Sequence, residues 1–248
     1  MSKILVLDPG HGGSDPGAVG NGLREKDLTL DICKRIKKYL ENNYIGIKVH
    51  MTRTTDKYLS LSQRAQFANS KKADLFVSVH INAGGGTGYE DFIYNKLSNS
   101  STTAKMRNTF HTEVVKEQSF WRNRGKKKAN FAVLRLTKMS AILTENGFID
   151  TKSDANKLKS NTYLNRIAKG HAEGIAKALG LKKKSKPKKS TSSSKKSGSS
   201  SKKTAASSGN KTYYRVVAGS YTERKNADAQ VKKLKKAGID AFIDVYQK

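Results

Sequence analysis

The sequence predicts an α/β fold, with a mixed, mostly parallel sheet flanked by helices and a small C-terminal β-α-β unit. Short apolar runs, typical of buried strands, alternate with segments in which apolar residues recur every three or four positions, as on one face of a helix. This alternation is typical of parallel sheets that are covered by helices on both sides.

The composition of the chain predicts how it is divided. Residues 181–210 contain ten lysines and no acidic residue, with almost no apolar side chain. Such a segment cannot bury enough apolar surface to offset the entropy of ordering, so we expect a flexible linker. The linker separates a domain of residues 1–180 from a short domain of residues 211–248.

The first predicted strand, residues 4–7, leads into residues 8–13, which read Asp-Pro-Gly-His-Gly-Gly. Pro9 and the glycines end the strand and allow the backbone to approach another group closely. Ligands of α/β sheets commonly bind at the carboxyl ends of strands, which makes His11 a candidate for chemistry. The alternative is a surface turn in which His11 has no role.

An apolar stripe at every fourth position predicts the first helix, through Leu28, Ile32, Ile36 and Leu40. Glu25 lies at its start, where the positive end of the helix dipole also favours a carboxylate. Residues 47–52 then alternate as a half-buried strand that places His50 on its polar face. Ser60 and Gln63 have the spacing of a capping box and predict a second helix.

Two later strands end in residues that are capable of chemistry. Residues 73–82 form a nearly continuous apolar run, typical of a central strand covered on both faces, and His80 lies at its carboxyl end. Residues 141–145 form another strand, which ends in Glu145. We therefore expect His11, His80 and Glu145 at one edge of the sheet, beside Glu25.

The remaining predicted elements are a strand at 89–94, a polar helix at 98–119, a basic loop at 122–128, a strand at 131–136 and a helix at 162–179. His171 lies in the apolar stripe of the last helix and is predicted to be packed in the core. His111 has no evident partner. Cys33 is the only cysteine, which excludes a disulfide within the chain and a cysteine metal site.

Two histidines and one carboxylate are a common ligand set for catalytic zinc, with water in the fourth position. A second carboxylate near that water can act as a general base and return the proton to a leaving amine, which gives amide or ester hydrolysis. A serine or cysteine nucleophile is disfavoured, because Cys33 lies within a helix and no Gly-x-Ser-x-Gly segment is present. Structural roles for the four residues stay open at this point.

Six segments follow one another in order: Leu7-Asp8-Pro9-Gly10-His11-Gly12-Gly13, Glu25-Lys26, Thr52-Arg53, Leu61-x-x-Arg64-x-x-x-Ala68-Asn69, Ser78-Val79-His80-Ile81-Asn82-Ala83 and Thr144-Glu145-Asn146-Gly147-Phe148-Ile149. Together they resemble the zinc-dependent N-acetylmuramoyl-L-alanine amidases found among bacterial cell-wall hydrolases and phage endolysins. The resemblance covers nearly all of residues 3–179. In residues 88–92 the chain departs from the family's usual Gly-Val-Glu, but the glutamate, Glu90, is retained.

The resemblance implies that His11, Glu25 and His80 hold Zn²⁺ and that Glu145 is the catalytic carboxylate. Residues 1–180 would then be a catalytic amidase domain. The implied substrate is peptidoglycan, cut at the amide between the lactyl group of N-acetylmuramic acid and the L-alanine of the stem peptide.

The tail has a β-α-β pattern, with strands predicted at 213–221 and 241–245 and a helix at 223–237. The segments Val217-x-Gly219-Ser220-Tyr221 and 238–243 are similar to the sporulation-related (SPOR) repeat, a module that binds peptidoglycan. The resemblance implies a short cell-wall-binding domain at 211–248, about half the usual length of that module.

The net charge of +29 predicts a polyanionic environment, such as nucleic acid, an anionic membrane or an anionic cell wall. With the resemblance, peptidoglycan and other anionic wall polymers become the expected partners. No aromatic stacking set or recognition helix supports specific nucleic-acid binding. A zinc peptidase acting within the stem peptide and a basic nucleic-acid-binding protein stay as alternatives, and the oligomeric state stays open.

The first residues carry too short an apolar run for a signal peptide, and no segment is long enough to span a membrane. We therefore expect the protein to be made in the cytoplasm. It would act on the cell wall after release through a membrane pore or by cell lysis.

Overall fold

The computed structural model describes residues 2–184 and 222–236, and the chain divides into two compact units, Met1–Lys189 and Ser190–Lys248. The strands of the first unit are β1 (Lys3–Pro9), β2 (Val19–Gly20), β3 (Leu23–Arg24), β4 (Tyr44–Ile45), β5 (Ile47–Met51), β6 (Leu75–Asn82), β7 (Tyr89–Tyr94), β8 (Asn123–Ala129), β9 (Ser140–Phe148) and β10 (Lys182–Lys183). Its helices are α1 (Glu25–Asn43), α2 (Leu61–Ser70), α3 (Thr102–Glu117), α4 (Ala132–Leu136), α5 (Lys152–Leu158) and α6 (Asn161–Ala178).

Six strands form one sheet in the order β5-β1-β6-β9-β7-β8. All neighbouring pairs are parallel except β7 and β9, which are antiparallel. The predicted mixed, mostly parallel sheet is therefore confirmed. Strands β1, β6 and β9 form its centre, and most of their residues are buried because helices cover both faces.

The two faces of the sheet have separate cores. Alternate residues of β1, such as Leu5 and Leu7, pack with α1, α3 and α6 in the larger core. Val6 and Phe76 point to the opposite face, where they pack with Val133 and Leu134 of α4 and with α2. This arrangement of one sheet between two helical layers agrees with the predicted alternation of strands and helices.

The prediction of a basic loop at 122–128 is wrong, because these residues contribute to strand β8, which pairs with β7. Its lysines alternate as strand residues do: Lys126 and Lys128 are exposed, whereas the Lys127 ammonium lies over the Phe92 ring. A lysine-rich strand at the edge of a sheet also discourages pairing with another chain. The sequence did not indicate this strand, because lysines occupy both its exposed and its half-buried positions and so hide the alternation that is typical of a strand.

The prediction of a strand at 131–136 is also wrong, because the structure has the short helix α4 at these residues. Val133 and Leu134 are buried against the α2 side of the sheet. A short apolar run cannot distinguish a strand from a helical turn by periodicity alone, and here packing against α2 decides.

Several local predictions are confirmed. Ser60 and Gln63 form the capping box at the start of α2, with both reciprocal hydrogen bonds. Cys33 is buried within α1 and unpaired. The sequence shows no evident partner for His111, and the structure supplies one: its Nδ1 lies 2.6 Å from Oδ2 of the buried Asp91 on β7. The two residues are 20 positions apart, so no local pattern could have paired them.

In the second unit, the predicted helix at 223–237 is present as α7 (Arg224–Lys236). The strands predicted at 213–221 and 241–245 and most of the linker predicted at 181–210 lie outside the described residues. Across residues 2–184 and 222–236, none of the helices has the length and apolar character needed to cross a membrane.

His171 on α6 is packed in the core, as predicted, and is fully buried. Its Nδ1 lies 2.9 Å from the Ile167 carbonyl oxygen, an obligate acceptor, so Nδ1 carries the proton and Nε2 accepts from the Thr144 hydroxyl at 3.1 Å. Burial lowers the pKa of His171 to about 4, which keeps the ring neutral.

This buried imidazole should make the fold sensitive to acid. Between pH 6.5 and 4, His171 is protonated in the unfolded chain but stays neutral in the folded chain. The contribution of neutral His171 to the free energy of unfolding is therefore fully present above pH 6.5 and decreases as the pH falls. The His171 contribution to the free energy of unfolding should fall by about 2 kcal/mol between pH 7 and pH 5. Urea denaturation at both pH values should show a smaller change in His171→Gln than in wild type.

His50→Gln is the matched control, because His50 lies half-buried on the edge strand β5. It should keep most of the wild-type change. An unaltered pH dependence in His171→Gln would contradict the neutral, buried state of His171.

Candidate active site

The carboxyl ends of the central parallel strands bring the four predicted residues together. His80 and Glu145 are direct register partners on β6 and β9. The end of β1, Pro9, is the register partner of Val79 on β6, and the following loop carries His11. Glu25 is the first residue of α1. The structure thus places all four at one edge of the sheet, as the sequence predicted.

The loop after β1 has an unusual backbone. His11 has a φ of 61°, in the left-handed region that non-glycine residues seldom adopt, and Gly12 and Gly13 also have positive φ values. Gly12 exchanges backbone hydrogen bonds with Asp15, which closes the loop. Such a strained residue persists only where its surroundings hold it, and here it directs the His11 ring towards Glu25.

Two buried arginines hold this loop by its carbonyl oxygens. Arg53 donates from Nε to the Pro9 oxygen (3.1 Å) and from Nη2 to the Gly10 oxygen (2.8 Å). Arg64 donates from Nη1 to the Pro9 oxygen (2.6 Å) and from Nη2 to the His11 oxygen (2.7 Å). Both arginines are at most 3% exposed. The guanidinium groups satisfy carbonyls that would otherwise be buried without partners.

Glu25 lies between the two histidines and is itself fixed by backbone amides. Its Oε1 accepts from the Ile81 amide (2.9 Å) and lies 3.0 Å from His80 Nδ1. Its Oε2 accepts from the Ala18 amide (2.9 Å) and lies 3.1 Å from His11 Nε2. Each carboxylate oxygen therefore has one fixed donor and faces one imidazole.

Asp15 sets the orientation of His11. Its Oδ2 lies 2.8 Å from His11 Nδ1, and its Oδ1 accepts from the Gly17 amide at 3.0 Å. Because a carboxylate only accepts, Nδ1 carries the proton and Nε2 is directed to the cluster. Metal-binding histidines are commonly oriented in this way by a carboxylate on the other ring nitrogen. Sequence reasoning missed Asp15, although a carboxylate four residues after a candidate ligand could have suggested it.

The cluster has the electrostatics of a cation site. Burial lowers the pKa of His11, but the hydrogen bonds and charges of Glu25 and Asp15 outweigh that effect and raise it to about 9. Burial likewise opposes a rise in the pKa of His80, yet Glu25 and Glu145 produce one. Burial raises the pKa of Glu25, but the two imidazoles hold it well below its usual range. The carboxylate therefore stabilises positive charge at this place.

The three side chains fit a zinc ion. Their ligand atoms all lie within 4.8 Å of one another, and this is the only such group of three within residues 2–184 and 222–236. The Glu25-to-imidazole distances of 3.0 and 3.1 Å are near the roughly 3.3 Å between neighbouring ligand atoms of a tetrahedral zinc site. Two histidines and a carboxylate are also ligand types that zinc accepts.

Glycines allow the backbone to pass close to these rings. A Cβ on Gly10 would lie 2.4 Å from the His80 ring, and one on Gly17 would lie 2.6 Å from His11 and 2.7 Å from Glu25 Oε2. Gly17 also has a positive φ of 64°. Larger residues at these positions would displace the three side chains.

Glu145 lies beside the cluster with its carboxyl group available. Its Oε2 is buried and has no hydrogen-bond partner among the residues that the structure describes. Burial raises the pKa of Glu145, with further contributions from Glu25 and Glu90 against the lowering effect of His80, to about 7. A carboxyl group with this pKa exchanges a proton readily near neutral pH, as a general acid and base must. Glu90 is its register partner on β7.

Two family models match the chain. The model described as N-acetylmuramoyl-L-alanine amidase matches residues 5–177, and the SPOR domain model matches residues 173–244. The second match begins within α6, so the domain boundaries at 180 and 210 stay predictions.

Two relatives illustrate the similarity in sequence. The sporulation-specific N-acetylmuramoyl-L-alanine amidase of Bacillus subtilis strain 168 is 44% identical over 243 residues, which cover 98% of this chain and 84% of that protein. The endolysin of Bacillus phage SPP1 is 50% identical over 188 residues, which cover 75% of this chain and 69% of that protein.

Solved structures show the same fold. The catalytic domain of the N-acetylmuramoyl-L-alanine amidase CwlV from Bacillus (Paenibacillus) polymyxa var. colistinus has a TM-score of 0.68 at 32% identity, covering 73% of this chain and 99% of that one. An N-acetylmuramoyl-L-alanine amidase from Clostridium difficile 630 has a TM-score of 0.69 at 35% identity, covering 72% and 97%.

The orientation of His11 by Asp15 should matter for metal affinity. We expect Asp15→Asn to weaken Zn²⁺ binding by about 10- to 100-fold, because the amide stabilises the His11 tautomer less well than the carboxylate. Competition titration against a chelating dye measures this change. Asp31→Asn is the matched control, because its carboxylate is as exposed as that of Asp15 (42%) and pairs with Arg35 away from the cluster. Equal Zn²⁺ affinity in the two variants would contradict the role of Asp15.

Proposed function

The chain belongs to the N-acetylmuramoyl-L-alanine amidase family, and from this premise we propose that its peptidoglycan amidase activity depends on one Zn²⁺ held by His11, Glu25 and His80. The bond hydrolysed joins the lactyl group of N-acetylmuramic acid to the L-alanine of the stem peptide. The observation that carries the proposal is the convergence of these three side chains with a second carboxyl group, that of Glu145, at one sheet edge; Glu145 Oε2 has no hydrogen-bond partner among the residues that the structure describes.

Zinc, when bound in such a site, lowers the pKa of a coordinated water to about 7 and polarises a carbonyl group. The protein supplies the rest. Asp15 and the Ile81 and Ala18 amides hold His11 and Glu25 in their ligand orientations. The ligand atoms therefore need little reorganisation when a cation binds.

Glu145 is proposed as the general base and acid. Its free Oε2 can accept a proton from the attacking water, and no protein donor competes for it among the described residues. The same carboxyl group then protonates the L-alanine nitrogen as the carbon–nitrogen bond breaks, so the amine leaves neutral and Glu145 returns to its starting form. Burial, together with the nearby charges of Glu25 and Glu90, raises the pKa of Glu145, which strengthens it as the base that takes up the water proton.

The assignment of a separate role to each of three parts of the chain is also a proposal. Residues 1–180 form the catalytic domain, residues 181–210 a linker, and residues 211–248 a short domain that binds the cell wall. The SPOR match over residues 173–244 and the overall charge of +29 support peptidoglycan and anionic wall polymers as partners.

Glu145→Gln tests the assignment most sharply, because it keeps the shape of the side chain and removes its proton chemistry. We expect hydrolysis of purified peptidoglycan to fall by at least about 100-fold, while Zn²⁺ binding is retained. Mass spectrometry of the wild-type digest should show stem peptides that begin with a free L-alanine amine.

Glu113→Gln on α3 is the control, since Glu113 pairs with Lys177 on the helical layer and should leave activity unchanged. Undiminished hydrolysis by Glu145→Gln would exclude the proposed base. Fragments cut within the stem peptide would indicate a peptidase instead. Activity that survives exhaustive chelation would exclude the metal.

A further inference from the structure

A row of charged side chains crosses four adjacent strands beside the proposed catalytic carboxyl group. His80 on β6 faces Glu145 on β9, and Glu145 faces Glu90 on β7, in direct register. Directly paired residues point to the same face of a sheet. Arg124 and Lys127 of the next strand, β8, complete the row through ion pairs to Glu90.

Glu90 organises the two cations. Its side chain is 5% exposed, and its Oε2 accepts from Arg124 Nε at 2.8 Å and from Lys127. Its Oε1 accepts from Nδ2 of the Asn82 side chain at 2.8 Å. One carboxylate thus neutralises only one of two cations, which leaves a net positive charge beside the site.

The Arg124 side chain has N–H groups that are available for a further hydrogen bond. Its guanidinium lies over the Phe148 ring at 4.9 Å, and its side chain is 28% exposed. Within residues 2–184 and 222–236, the only hydrogen bond of this guanidinium runs from Nε to Glu90, so both Nη groups lack a protein acceptor. A guanidinium fixed at Nε and open at its outer edge matches the two oxygens of a carboxylate.

The position of the Arg124 guanidinium suits contact with the stem peptide and not with the glycan. The glycan has no free carboxylate at the scissile bond, because the lactyl carboxyl group is in the amide itself. Adjacent strands are about 4.8 Å apart, so β8 lies roughly 10 Å from β9, and the arginine side chain spans part of that gap. Extended peptide advances about 3.5 Å per residue, which brings the second stem residue within reach.

We propose that Arg124, positioned by Glu90, binds the carboxylate of the second residue of the stem peptide and makes the enzyme prefer substrates in which that carboxylate is free. The inference rests on the proposed amidase function. It also gives the substrate a direction, with the stem peptide extending from Glu145 towards β8 and the glycan towards the opposite side of the metal ligands.

The test uses the full-length protein and two muropeptides. They differ only in whether the second stem residue has a free α-carboxylate or a carboxamide. Wild type should cleave the free acid with a kcat/KM about tenfold higher, mainly through KM. In Arg124→Gln this preference should fall close to one. Arg124→Lys, which keeps the charge but not the planar fork, should show an intermediate preference.

Lys126→Gln is the matched control, because it removes one positive charge from the same strand at an exposed position. It should keep the wild-type preference. If Arg124→Gln does not fold, the Arg124→Lys ratio decides.

Two results would overturn the inference. They are equal cleavage of both muropeptides by wild type and an unchanged preference in the Arg124 variants. An unchanged preference with lower activity on both substrates would mean that Arg124 only neutralises Glu90. Failure of wild type to cut either substrate before L-alanine would count instead against the proposed function.

Discussion

The site depends on two buried guanidinium groups that hold the backbone between β1 and the following loop. Arg53 and Arg64 bind the carbonyl oxygens of Pro9, Gly10 and His11, and Arg64 also pairs with the buried Asp8 at 2.9 Å. Removing one member of a buried ion pair commonly costs about 3–5 kcal/mol, because the other charge stays buried. These contacts stabilise the left-handed backbone at His11.

The parallel sheet then supplies the rest of the geometry. Because β1, β6 and β9 run in the same direction, residues that are far apart in sequence reach one edge at the same height. Glu25 joins them at the start of α1, where two backbone amides fix its oxygens. The antiparallel strand β7 adds Glu90 from the opposite direction, and β8 adds two cations. In the proposed function and substrate orientation, this one edge would hold a metal, a proton carrier and an anionic group.

The sequence predicted the fold class and the four central residues because both are local signals. Apolar runs mark the strands, and His11, His80 and Glu145 follow or end them. Pairing between distant elements was not predictable: Asp91 meets His111, and Arg124 meets Glu90, only after β7 and its neighbours have assembled. Strand β8 was missed because lysines replace its apolar pattern, and α4 was missed because its apolar run is short. In each case the deciding contact is tertiary.

Anomalous diffraction at the zinc absorption edge, on crystals of the protein grown with Zn²⁺, shows whether and where the metal binds. We expect one strong peak from a Zn²⁺ ion that is bound by His11 Nε2, His80 Nδ1 and the Glu25 carboxylate, at about 2.0–2.2 Å from each ligand atom. Glu145 should lie close to the ion without being one of its ligands. A peak beside other residues, or none at this edge of the sheet, would rule out metal binding by His11, Glu25 and His80.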